Sequence, residues 1–486
     1  MMLSELVPEH RIPLDIGIRG ISDDSRSVGP GDLFCALAGK GVDGRGCVAE
    51  AVSRGAVAVV CEPPALKTSV PVIVLENLRD RIGGFASRVN GDPSHKVEVI
   101  AVTGTNGKTS FTHLLGQALT LVGLRTGLIG TMGYGTPDRL EKPGLTTPSA
   151  VDLQGKIKKL VDDECYAIVL EASSHGLDQS RLNGLEVDIA VLTNLSSDHL
   201  DYHSTFENYR SAKRRLFEKS MLRNAVLNLD DEFGCELVSR LKGRFDIVTF
   251  SRADTEATVY CRSVHFGAAG LRFQLIVNTD EIDVELPLFG EFNVENVLSV
   301  VGAMIAMNYS TNDVRMAIRR LKPVLGRMDI LGGQGKPNVI VDYAHNPDAL
   351  RKALQSLRLH FPNKKIHCVF GCGGDRDKSK RAIMGQIAEI LADKVTLTSD
   401  NPRSEKPADI LAEIKLGMKN PTAGIIDRRE AILHTINVAR EGDIVLVAGK
   451  GHEEYQLLSE GRVPFSDYKV IDEGLEAWSS EYGKGH

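Results

Sequence analysis

Short apolar runs alternate with amphipathic stretches along most of this chain. The run at 97–103 leads into a glycine-rich segment, and further apolar runs occupy 167–170, 189–195 and 225–229. After the first run, one helical face is outlined by the spacing of Phe111, Leu114, Leu115, Ala118, Leu119 and Val122. Continuous apolar runs separated by helices are typical of parallel strands with crossover connections. The pattern therefore predicts an α/β fold.

The pattern changes twice further along the chain. Residues 258–288 alternate between polar and apolar positions, which predicts a small antiparallel sheet before a helix at 293–307. Beyond a break near 321–329 the alternation of strands and helices restarts, and it predicts a Rossmann-like domain. Its predicted strands lie at 339–341, 368–370, 395–397 and 444–448, and its helices at 348–359 and 380–391.

These changes divide the chain into three predicted domains, at 1–92, 93–322 and 323–486. A Gly-Asp-Pro-Ser sequence at 91–94 has the composition of a linker. A length of 486 residues agrees with three domains of about 150 residues each.

Composition excludes several classes of protein. The net charge is −6 and aromatic residues make up 5% of the chain, so neither a basic footprint nor a base-stacking surface for nucleic acid is expected. No apolar segment approaches the roughly 20 residues of a membrane span, and no basic segment followed by an apolar core marks a signal peptide. Eight cysteines without a CxxC pair suit a reduced protein, and we expect a cytoplasmic one.

The strongest single motif is GTNGKT at 104–109, between a predicted strand and a predicted amphipathic helix. Glycine loops at helix N-termini bind phosphate through backbone N–H groups and the helix dipole. In such a loop Lys108 would reach the β- and γ-phosphates, and the Thr109 hydroxyl would bind Mg²⁺. Val102 stands where the longer Walker A pattern has glycine, so the motif is a shorter loop. A structural glycine turn is the alternative.

Polar side chains follow two later strands of the same predicted domain. Glu171 ends the run at 167–170, and Asp198, His199, Asp201 and His203 follow the run at 189–195. Ligand sites in α/β sheets lie at the carboxyl ends of strands, and carboxylates suit Mg²⁺. The alternative for the second group is a polar loop with helix caps. Lys213, beside Arg214 and Arg215, looks by itself like a solvated helical charge.

Together these motifs resemble the Mur ligases, ATP-dependent amide-bond-forming enzymes of bacterial cell-wall synthesis. The resemblance rests on GTNGKT, EASSHGLDQSR (171–181), TNLSSDHLDYH (193–203), YRSAKRRLF (209–217), GEFNVENVLSV (290–300), GRMD (326–329) and VDYAHNPDAL (341–350). A particular subgroup is indicated by DSRSVGPGDLFCALAG (24–39), GCGGDRDKSKR (371–381), DNPRSE (400–405) and GKGHEEYQ (449–456). Members of that subgroup add the third amino acid to UDP-N-acetylmuramoyl-L-alanyl-D-glutamate.

The resemblance implies a three-domain fold, ATP as a substrate, Mg²⁺ as a cofactor, and roles for individual residues. Catalytic roles fall on Lys108, Glu171, His199 and Lys213, the last aligned with a lysine that is carbamylated in this family. The metal set is Thr109, Glu171, His199 and carbamylated Lys213. The residues assigned to ATP are Gly104, Thr105, Asn106, Gly107, Lys108, Thr109, Asn293, Asn296, Arg327 and Asp342.

The same resemblance implies two further binding regions. The uridine-nucleotide substrate is assigned to Asp23, Ser25, Lys40, Gly41, Val42, Leu145, Thr146, Thr147, Ser173, Gln179 and Arg181. The amino-acid substrate is assigned to Arg376, Asp400, Asn401, Pro402, Arg403, Gly449 and Glu453. Within the family, DNPR accompanies meso-diaminopimelate. A planar guanidinium at Arg403 can bind the distal carboxylate of that substrate, which L-lysine lacks.

The implied reaction joins meso-diaminopimelate to UDP-N-acetylmuramoyl-L-alanyl-D-glutamate through an acyl phosphate, by a chain expected to be monomeric. Three alternatives remain open: a sister ligase that adds L-lysine or extends folate, a P-loop NTPase without ligase chemistry, and a nucleotide-binding scaffold. DNPR argues against the lysine enzyme, and the DSR…GDLF block argues against the folate enzyme.

Overall fold

Three β-sheets follow one another along the chain and confirm the predicted α/β fold. The computed structural model describes residues 1–10, 15–39, 43–141 and 144–482. Its sheets have four, eleven and five strands, and a two-stranded hairpin lies near the C-terminus. The domain boundaries at 92/93 and 322/323 stay a prediction, and each of the three sheets lies within one predicted domain.

The N-terminal region is a parallel sheet in the order β1-β2-β3-β4. Its elements are α1 (Leu3–Leu6), β1 (Gly20–Ser22), β2 (Asp32–Ala36), α2 (Val48–Ser53), β3 (Ala58–Cys61), β4 (Val72–Val74) and α3 (Leu78–Val89).

The central region begins with the predicted strand, glycine loop and helix. Its first half comprises β5 (Glu98–Thr103), α4 (Lys108–Leu121), β6 (Thr126–Gly130), β7 (Gly133–Thr136), β8 (Arg139–Glu141), α5 (Ala150–Asp162), β9 (Ala167–Glu171), α6 (Ser174–Asp178) and β10 (Ile189–Leu192). Its second half comprises α7 (Leu200–His203), α8 (Phe206–Arg214), β11 (Asn224–Asn228), α9 (Glu232–Leu241), β12 (Asp246–Ser251), β13 (Val259–Gly267), β14 (Gly270–Val277), β15 (Asp280–Leu286), α10 (Phe292–Ala306) and α11 (Thr311–Ile318).

Burial on both faces explains why the central strands are continuously apolar. Ile100 and Val102 of β5 belong to one core cluster, whereas Val99 and Ala101 belong to another on the opposite face. The predicted apolar face of α4 packs in the first of these clusters. The sheet order is β15-β14-β13-β12-β11-β10-β5-β9-β6-β7-β8, which places β5 between β9 and β10.

The predicted antiparallel strands form one end of the central sheet. β13, β14 and β15 pair antiparallel with one another. Parallel pairing of β12 with β13 at Phe250 and Ser251 joins them to the rest of the sheet. The antiparallel part is therefore an extension of the sheet that carries the glycine loop.

The C-terminal region has the sheet order β16-β17-β20-β18-β19, parallel except for β16. Its elements are β16 (Asp329–Gly332), β17 (Asn338–Asp342), α12 (Pro347–His360), β18 (Ile366–Phe370), α13 (Ser379–Leu391), β19 (Lys394–Leu397), α14 (Pro407–Lys415), α15 (Arg428–Val438), β20 (Ile444–Ala448), the hairpin β21 (Tyr455–Leu458) with β22 (Gly461–Pro464), and α16 (Asp467–Tyr482). Throughout the described ranges, every helix is too short or too polar to span a bilayer.

The N-terminal and central regions pack closely where α3 meets the loop before β10. A Cβ placed on Gly83 would lie 1.8 Å from the carbonyl oxygen of Asn183, whereas one on Gly84 would meet no atom within 4 Å. The side chain of Asn183 also donates to the Asp80 carbonyl oxygen at 3.1 Å. Glycine at 83 therefore sets how closely the two regions approach.

We expect Gly83→Ala to lower the free energy of unfolding by about 1–3 kcal/mol, because the added methyl group forces α3 away from Asn183. Gly84→Ala is the matched control and should raise it by about 0.5–1 kcal/mol through helix propensity. Urea unfolding followed by circular dichroism measures both. Equal midpoints for the two variants would contradict the close approach at Gly83.

Candidate active site

The glycine loop links β5 to α4 at the carboxyl edge of the central sheet. Gly104 follows the last residue of β5, and Lys108 is the first residue of α4. The Lys108 ammonium donates to the carbonyl oxygens of Gly104 at 2.8 Å and Thr105 at 3.0 Å. Burial lowers the pKa of Lys108, and the negative charge of Glu171 opposes that shift. The loop thus holds a half-buried cation at a helix N-terminus, an arrangement that suits a phosphate group.

Glu171 lies beside this loop at the end of β9, and its side chain is buried. The Thr109 hydroxyl donates to its Oε2 at 3.1 Å, and the Thr131 backbone N–H donates to its Oε1 at 2.9 Å. The Thr131 hydroxyl adds a third bond, to Oε2, at 2.9 Å. No cation of the described residues forms an ion pair with Glu171. A buried carboxylate next to a loop threonine supplies hard oxygen ligands of the kind Mg²⁺ binds.

Lys213 is buried in the site, so its interpretation as a solvated charge is wrong. It lies on α8 with 1% exposure, and its ammonium donates to the Gly104 carbonyl oxygen at 2.7 Å. Burial and the nearby Lys108 charge move the pKa of Lys213 well below its usual range. Arg215, two positions on, is exposed to solvent. Of the three consecutive cations at 213–215, Lys213 therefore points into the protein and Arg215 faces solvent.

Tyr209 is a site residue that sequence reasoning missed. Its ring centroid lies 4.6 Å from the Lys213 ammonium, and its hydroxyl is 2.9 Å from the Thr105 hydroxyl. Tyr209 precedes Lys213 by four positions on α8, so the two share one helix face. Helical spacing could have paired them once Lys213 was known to point inward.

His199 stands at the start of α7 in a left-handed backbone conformation, with φ of 55°. Its ring centroid is 4.9 Å from that of His175. Burial lowers the pKa of His199 to about 4, although the negative charge of Asp198 acts to raise it. The imidazole is therefore neutral at pH 7 and keeps a lone pair for a ligand. Within the described ranges, no group of three or more His, Cys, Asp or Glu side chains is placed to hold a metal.

One cavity of about 510 Å³ collects most of the predicted site residues. The residues come from several loops and helices of the central region and from 327–376 of the C-terminal region. Those that line it are Thr105, Asn106, Gly107, Lys108, Thr109, Leu145, Thr146, Thr147, Glu171, Ser173, Arg181, His199, Lys213, Asn296, Arg327, Asp342 and Arg376.

Residues assigned to the muramoyl peptide are tied to the strand that carries Glu171. The Thr147 hydroxyl donates to the Glu171 carbonyl oxygen at 2.8 Å, and the Ser173 backbone N–H donates to the Thr147 hydroxyl oxygen at 2.9 Å. Arg181 donates to the Thr147 carbonyl oxygen at 2.6 Å and to the Gln179 side-chain oxygen at 2.7 Å. These bonds hold the segment beside the metal-binding candidates.

Asn293 and Asn296 occupy different positions although both were assigned to ATP. Asn296 lines the cavity and donates to the Asn293 side-chain oxygen at 2.8 Å. Asn293 is buried behind it and donates to the Phe289 carbonyl oxygen at 2.7 Å. In this structure Asn293 supports Asn296 from behind.

Arg327 and Asp342 bring the C-terminal region to the phosphate loop. Arg327 donates to the Thr109 hydroxyl oxygen at 3.1 Å and stacks over the Tyr343 ring at 4.4 Å. Asp342 accepts the backbone N–H groups of Met328 at 2.9 Å and Ala344 at 2.8 Å. One carboxylate oxygen of Asp342 therefore braces the segment that carries Arg327, and the other braces the loop that follows β17.

Two further contacts across this junction had no sequence indication. The Asn106 side chain donates to Asp348 at 3.0 Å, and the Asn346 side chain donates to Asp198 at 3.2 Å. Asn106 and Asp348 are separated by 242 positions, so only the tertiary structure brings them together.

Asp23 and Ser25, also assigned to the uridine-nucleotide substrate, do not line the cavity. Burial raises the pKa of Asp23, and a hydrogen bond from Ser149, the N-cap of α5, opposes that shift. The Ser25 hydroxyl donates to Glu50 at 2.7 Å. Lys40, Gly41 and Val42 lie outside the described residues, so their assigned role stays a prediction.

The residues assigned to the amino acid occupy three loops of the C-terminal sheet, with Arg376 after β18, residues 400–403 after β19, and Gly449 and Glu453 after β20. Asn401 donates to Glu453 at 2.9 Å, and the buried Lys450 ammonium donates to both, at 3.2 Å to Asn401 and 2.8 Å to Glu453. Pro402 follows Asn401 and fixes the path to Arg403. Lys450 is a second residue that sequence reasoning missed.

Arg403 has no carboxylate partner within salt-bridge distance among the described residues. Its guanidinium donates only to carbonyl oxygens, of Gly374 at 2.8 Å and Asn401 at 3.3 Å. Burial and the neighbouring Arg376 charge lower the pKa of Arg403. Arg376 likewise donates to a backbone carbonyl oxygen, that of Asp375 at 3.3 Å, so both guanidinium groups suit a ligand that carries a carboxylate.

Known proteins resemble this chain over nearly its whole length. A Pseudomonas aeruginosa protein named UDP-N-acetylmuramoyl-L-alanyl-D-glutamate--2,6-diaminopimelate ligase is 44% identical over 487 residues, covering 98% of this chain and 99% of the relative. A Xylella fastidiosa protein of the same name is 44% identical and covers 99% of this chain and 98% of the relative. This chain belongs to the Mur ligase family.

Family models and solved structures agree with that membership. A Mur ligase family catalytic domain matches residues 17–89, a Mur ligase middle domain 102–304, and a Mur ligase glutamate ligase domain 326–451. A solved UDP-N-acetylmuramoyl-L-alanyl-D-glutamate--2,6-diaminopimelate ligase is 36% identical with a TM-score of 0.73, covering 98% of this chain and 99% of that chain. A MurF ligase from Thermotoga maritima in complex with ADP shares the fold at 20% identity and a TM-score of 0.65, covering 95% and 98% of the two chains.

We expect Tyr209→Phe to raise the KM for ATP about 2- to 10-fold, because it removes one buried hydrogen bond to the phosphate loop and keeps the ring over Lys213. Steady-state ATP turnover measures it. Tyr260→Phe, on the antiparallel strands, is the matched control and should leave that KM unchanged. An unchanged KM for ATP in Tyr209→Phe would show that the hydrogen bond between Tyr209 and Thr105 does not affect nucleotide binding by the glycine loop.

Proposed function

We propose that this chain joins meso-diaminopimelate to UDP-N-acetylmuramoyl-L-alanyl-D-glutamate at the expense of ATP, in peptidoglycan synthesis. The observation that carries the proposal is the meeting of Lys108, Glu171 and Lys213 in one cavity of a Mur ligase chain. The relatives that cover nearly the whole chain carry the name of this activity.

The chemistry requires activation of an unreactive carboxylate. An oxygen of the D-glutamate γ-carboxylate attacks the γ-phosphorus of ATP, the β–γ bridging bond breaks, and ADP leaves. The neutral amine of meso-diaminopimelate then attacks the acyl carbon and loses a proton, and inorganic phosphate departs with the electrons of the acyl–oxygen bond. The ammonium of Lys108, which lines the cavity, offsets the repulsion between the carboxylate and the phosphates.

Thr109, Glu171, His199 and a carbamate on Lys213 would hold Mg²⁺, which supplies charge neutralisation at the phosphates. The donor set fits only if Lys213 is modified, because its ammonium would repel a cation. Its lowered pKa favours the neutral amine that reacts with CO₂. Carbamylation would replace a buried cation by an anionic oxygen ligand.

Exclusion of water protects an acyl phosphate from hydrolysis. The contacts of Arg327 with Thr109, Asn106 with Asp348, and Asn346 with Asp198 place the C-terminal region over the phosphate loop. In the proposed reaction this closure encloses the intermediate until the amine arrives.

Arg403 and Arg376 support meso-diaminopimelate as the amino acid. Their guanidinium groups lie close enough for the charge of Arg376 to lower the pKa of Arg403. The distal carboxylate of meso-diaminopimelate would relieve that repulsion, whereas the distal end of L-lysine carries only its ammonium and no carboxylate.

We expect phosphate release from ATP to require both the UDP-linked dipeptide and meso-diaminopimelate. L-lysine should be at least tenfold less effective, because Arg403 would then lack its charged hydrogen-bond partner. A coupled phosphate assay with each substrate omitted in turn measures this. Equal rates with L-lysine would favour the lysine-adding alternative, and release without either substrate would favour a plain NTPase.

The Arg403→Met variant should lose the preference for meso-diaminopimelate in the same assay. Arg462→Met, in the exposed β22 strand, is the matched control and should retain it. A preference that survives in Arg403→Met would contradict the role given to this guanidinium.

Lys213→Ala should lower turnover severely and regain part of it with added formate or acetate, because a small carboxylate can replace the carbamate oxygens. Arg214→Ala, the next residue on α8, is the matched control and should need no such addition. Turnover measured against carboxylate concentration checks the expectation. Full activity of Lys213→Ala without additives would contradict the carbamate.

A further inference from the structure

Two loops of the proposed amino-acid site follow strands that do not pair with each other. One loop follows β19 and carries Asp400 and Arg403, and the other follows β20 and begins with Gly449. β18 lies between these strands in the sheet. One backbone bond joins the loops, from the Arg403 N–H to the Leu457 carbonyl oxygen at 2.9 Å, and side chains supply further contacts between them.

That distance is tightly constrained at one point. A Cβ on Gly449 would lie 2.3 Å from Oδ2 of Asp400, and Gly449 has φ of 117°. Oδ2 of Asp400 is buried and has no hydrogen-bond partner among the described residues. Any change in the loop spacing would alter the space in front of this carboxylate oxygen.

Arg428, the first residue of α15, reaches both loops from beneath. Its Nη2 donates to the Ala448 carbonyl oxygen at 3.0 Å, and its Nη1 makes a longer contact to the Ser399 carbonyl oxygen at 3.5 Å. Ala448 and Ser399 directly precede Gly449 and Asp400. One planar guanidinium thus spans the bases of the two loops.

Asp467, at the start of α16, fixes this guanidinium in place. Its two carboxylate oxygens accept from Nε of Arg428 at 2.7 Å and from Nη2 at 2.8 Å. Both side chains are fully buried. Burial alone would lower the pKa of Arg428, but the Asp467 charge and hydrogen bonds outweigh it and raise the pKa. A paired, immobile charge is a suitable rigid support.

We propose that Arg428, anchored by Asp467, is a positioning residue that sets the spacing of the Asp400 and Gly449 loops and thereby the affinity for the amino-acid substrate. The inference rests on the proposed function and deepens it. Arg428 touches neither the cavity nor, by this geometry, the substrate, so it acts through the loop carbonyl groups alone.

Arg428→Lys retains the charge but cannot span two carbonyls while pairing with both Asp467 oxygens. We expect the KM for meso-diaminopimelate to rise about 10- to 100-fold, because misplacement of a site by about 1 Å has effects of that size. The KM values for ATP and the UDP-linked dipeptide, and kcat, should stay within about twofold of wild type. Asp467→Asn should show the same selective rise.

Arg358→Lys is the matched control. Arg358 pairs with Asp393 at 2.9 Å and donates to the Lys364 carbonyl oxygen at 2.9 Å, at the opposite end of the same sheet. The Arg358→Lys variant should leave all three KM values unchanged.

An unchanged KM for meso-diaminopimelate in Arg428→Lys, or an equal rise in all three KM values, would overturn the proposal. Where Arg428→Lys fails to fold, Asp467→Asn decides by the same criterion.

Hydrogen–deuterium exchange tests the loops without any substrate. Exchange at 398–403 and 449–453 should increase in Arg428→Lys and Asp467→Asn and stay at the wild-type level in Arg358→Lys. Unchanged exchange in the first two variants would overturn the positioning role. A wild-type protein without ligase activity would instead overturn the proposed function, and the exchange result would still stand.

Discussion

Two ammonium groups, one half-buried and one fully buried, share the carbonyl oxygen of Gly104. Lys108 approaches it from α4 and Lys213 from α8, at 2.8 and 2.7 Å. Neither forms an ion pair with a carboxylate among the described residues, and burial lowers the pKa of both. Concentrated, uncompensated positive charge in a closed site is costly to the free protein. The phosphate groups of a nucleotide would compensate Lys108, and carbamylation would remove the charge of Lys213.

The rest of the site is arranged around that concentration of charge. β5 lies between β9 and β10, so the loops after these three strands meet at one edge. Glu171 and His199 reach the phosphate loop for this reason. The C-terminal region then closes the site through Arg327, whose guanidinium bonds to Thr109. The amino-acid loops are supported separately, from beneath, by the buried pair of Arg428 and Asp467.

The local pattern predicted the order of the central elements well because the parallel strands β5, β9 and β10 are apolar over most of their length and α4 has a distinct apolar face. The glycine loop was found for the same reason, since its residue types and flanking elements are contiguous. Lys213 was different. Among three consecutive cations, only the helix rotation and the position of α8 against the loop decide which one is buried, and the family resemblance alone singled it out.

Residue roles also depended on distances that a sequence does not contain. Asn293 and Asn296 share one motif, yet one lines the cavity and the other supports it from behind. Asn106 and Asp348 meet across 242 positions, and Arg428 reaches two loops whose strands are not neighbours.

The sequence by itself determined the α/β class, the strand–loop–helix of the phosphate site and the set of residues with the right chemistry, because these are recorded in contiguous patterns. The tertiary structure alone decided which cations are buried, which side chains face the cavity and which residues hold the loops apart, because burial and long-range contacts arise only when distant segments pack together.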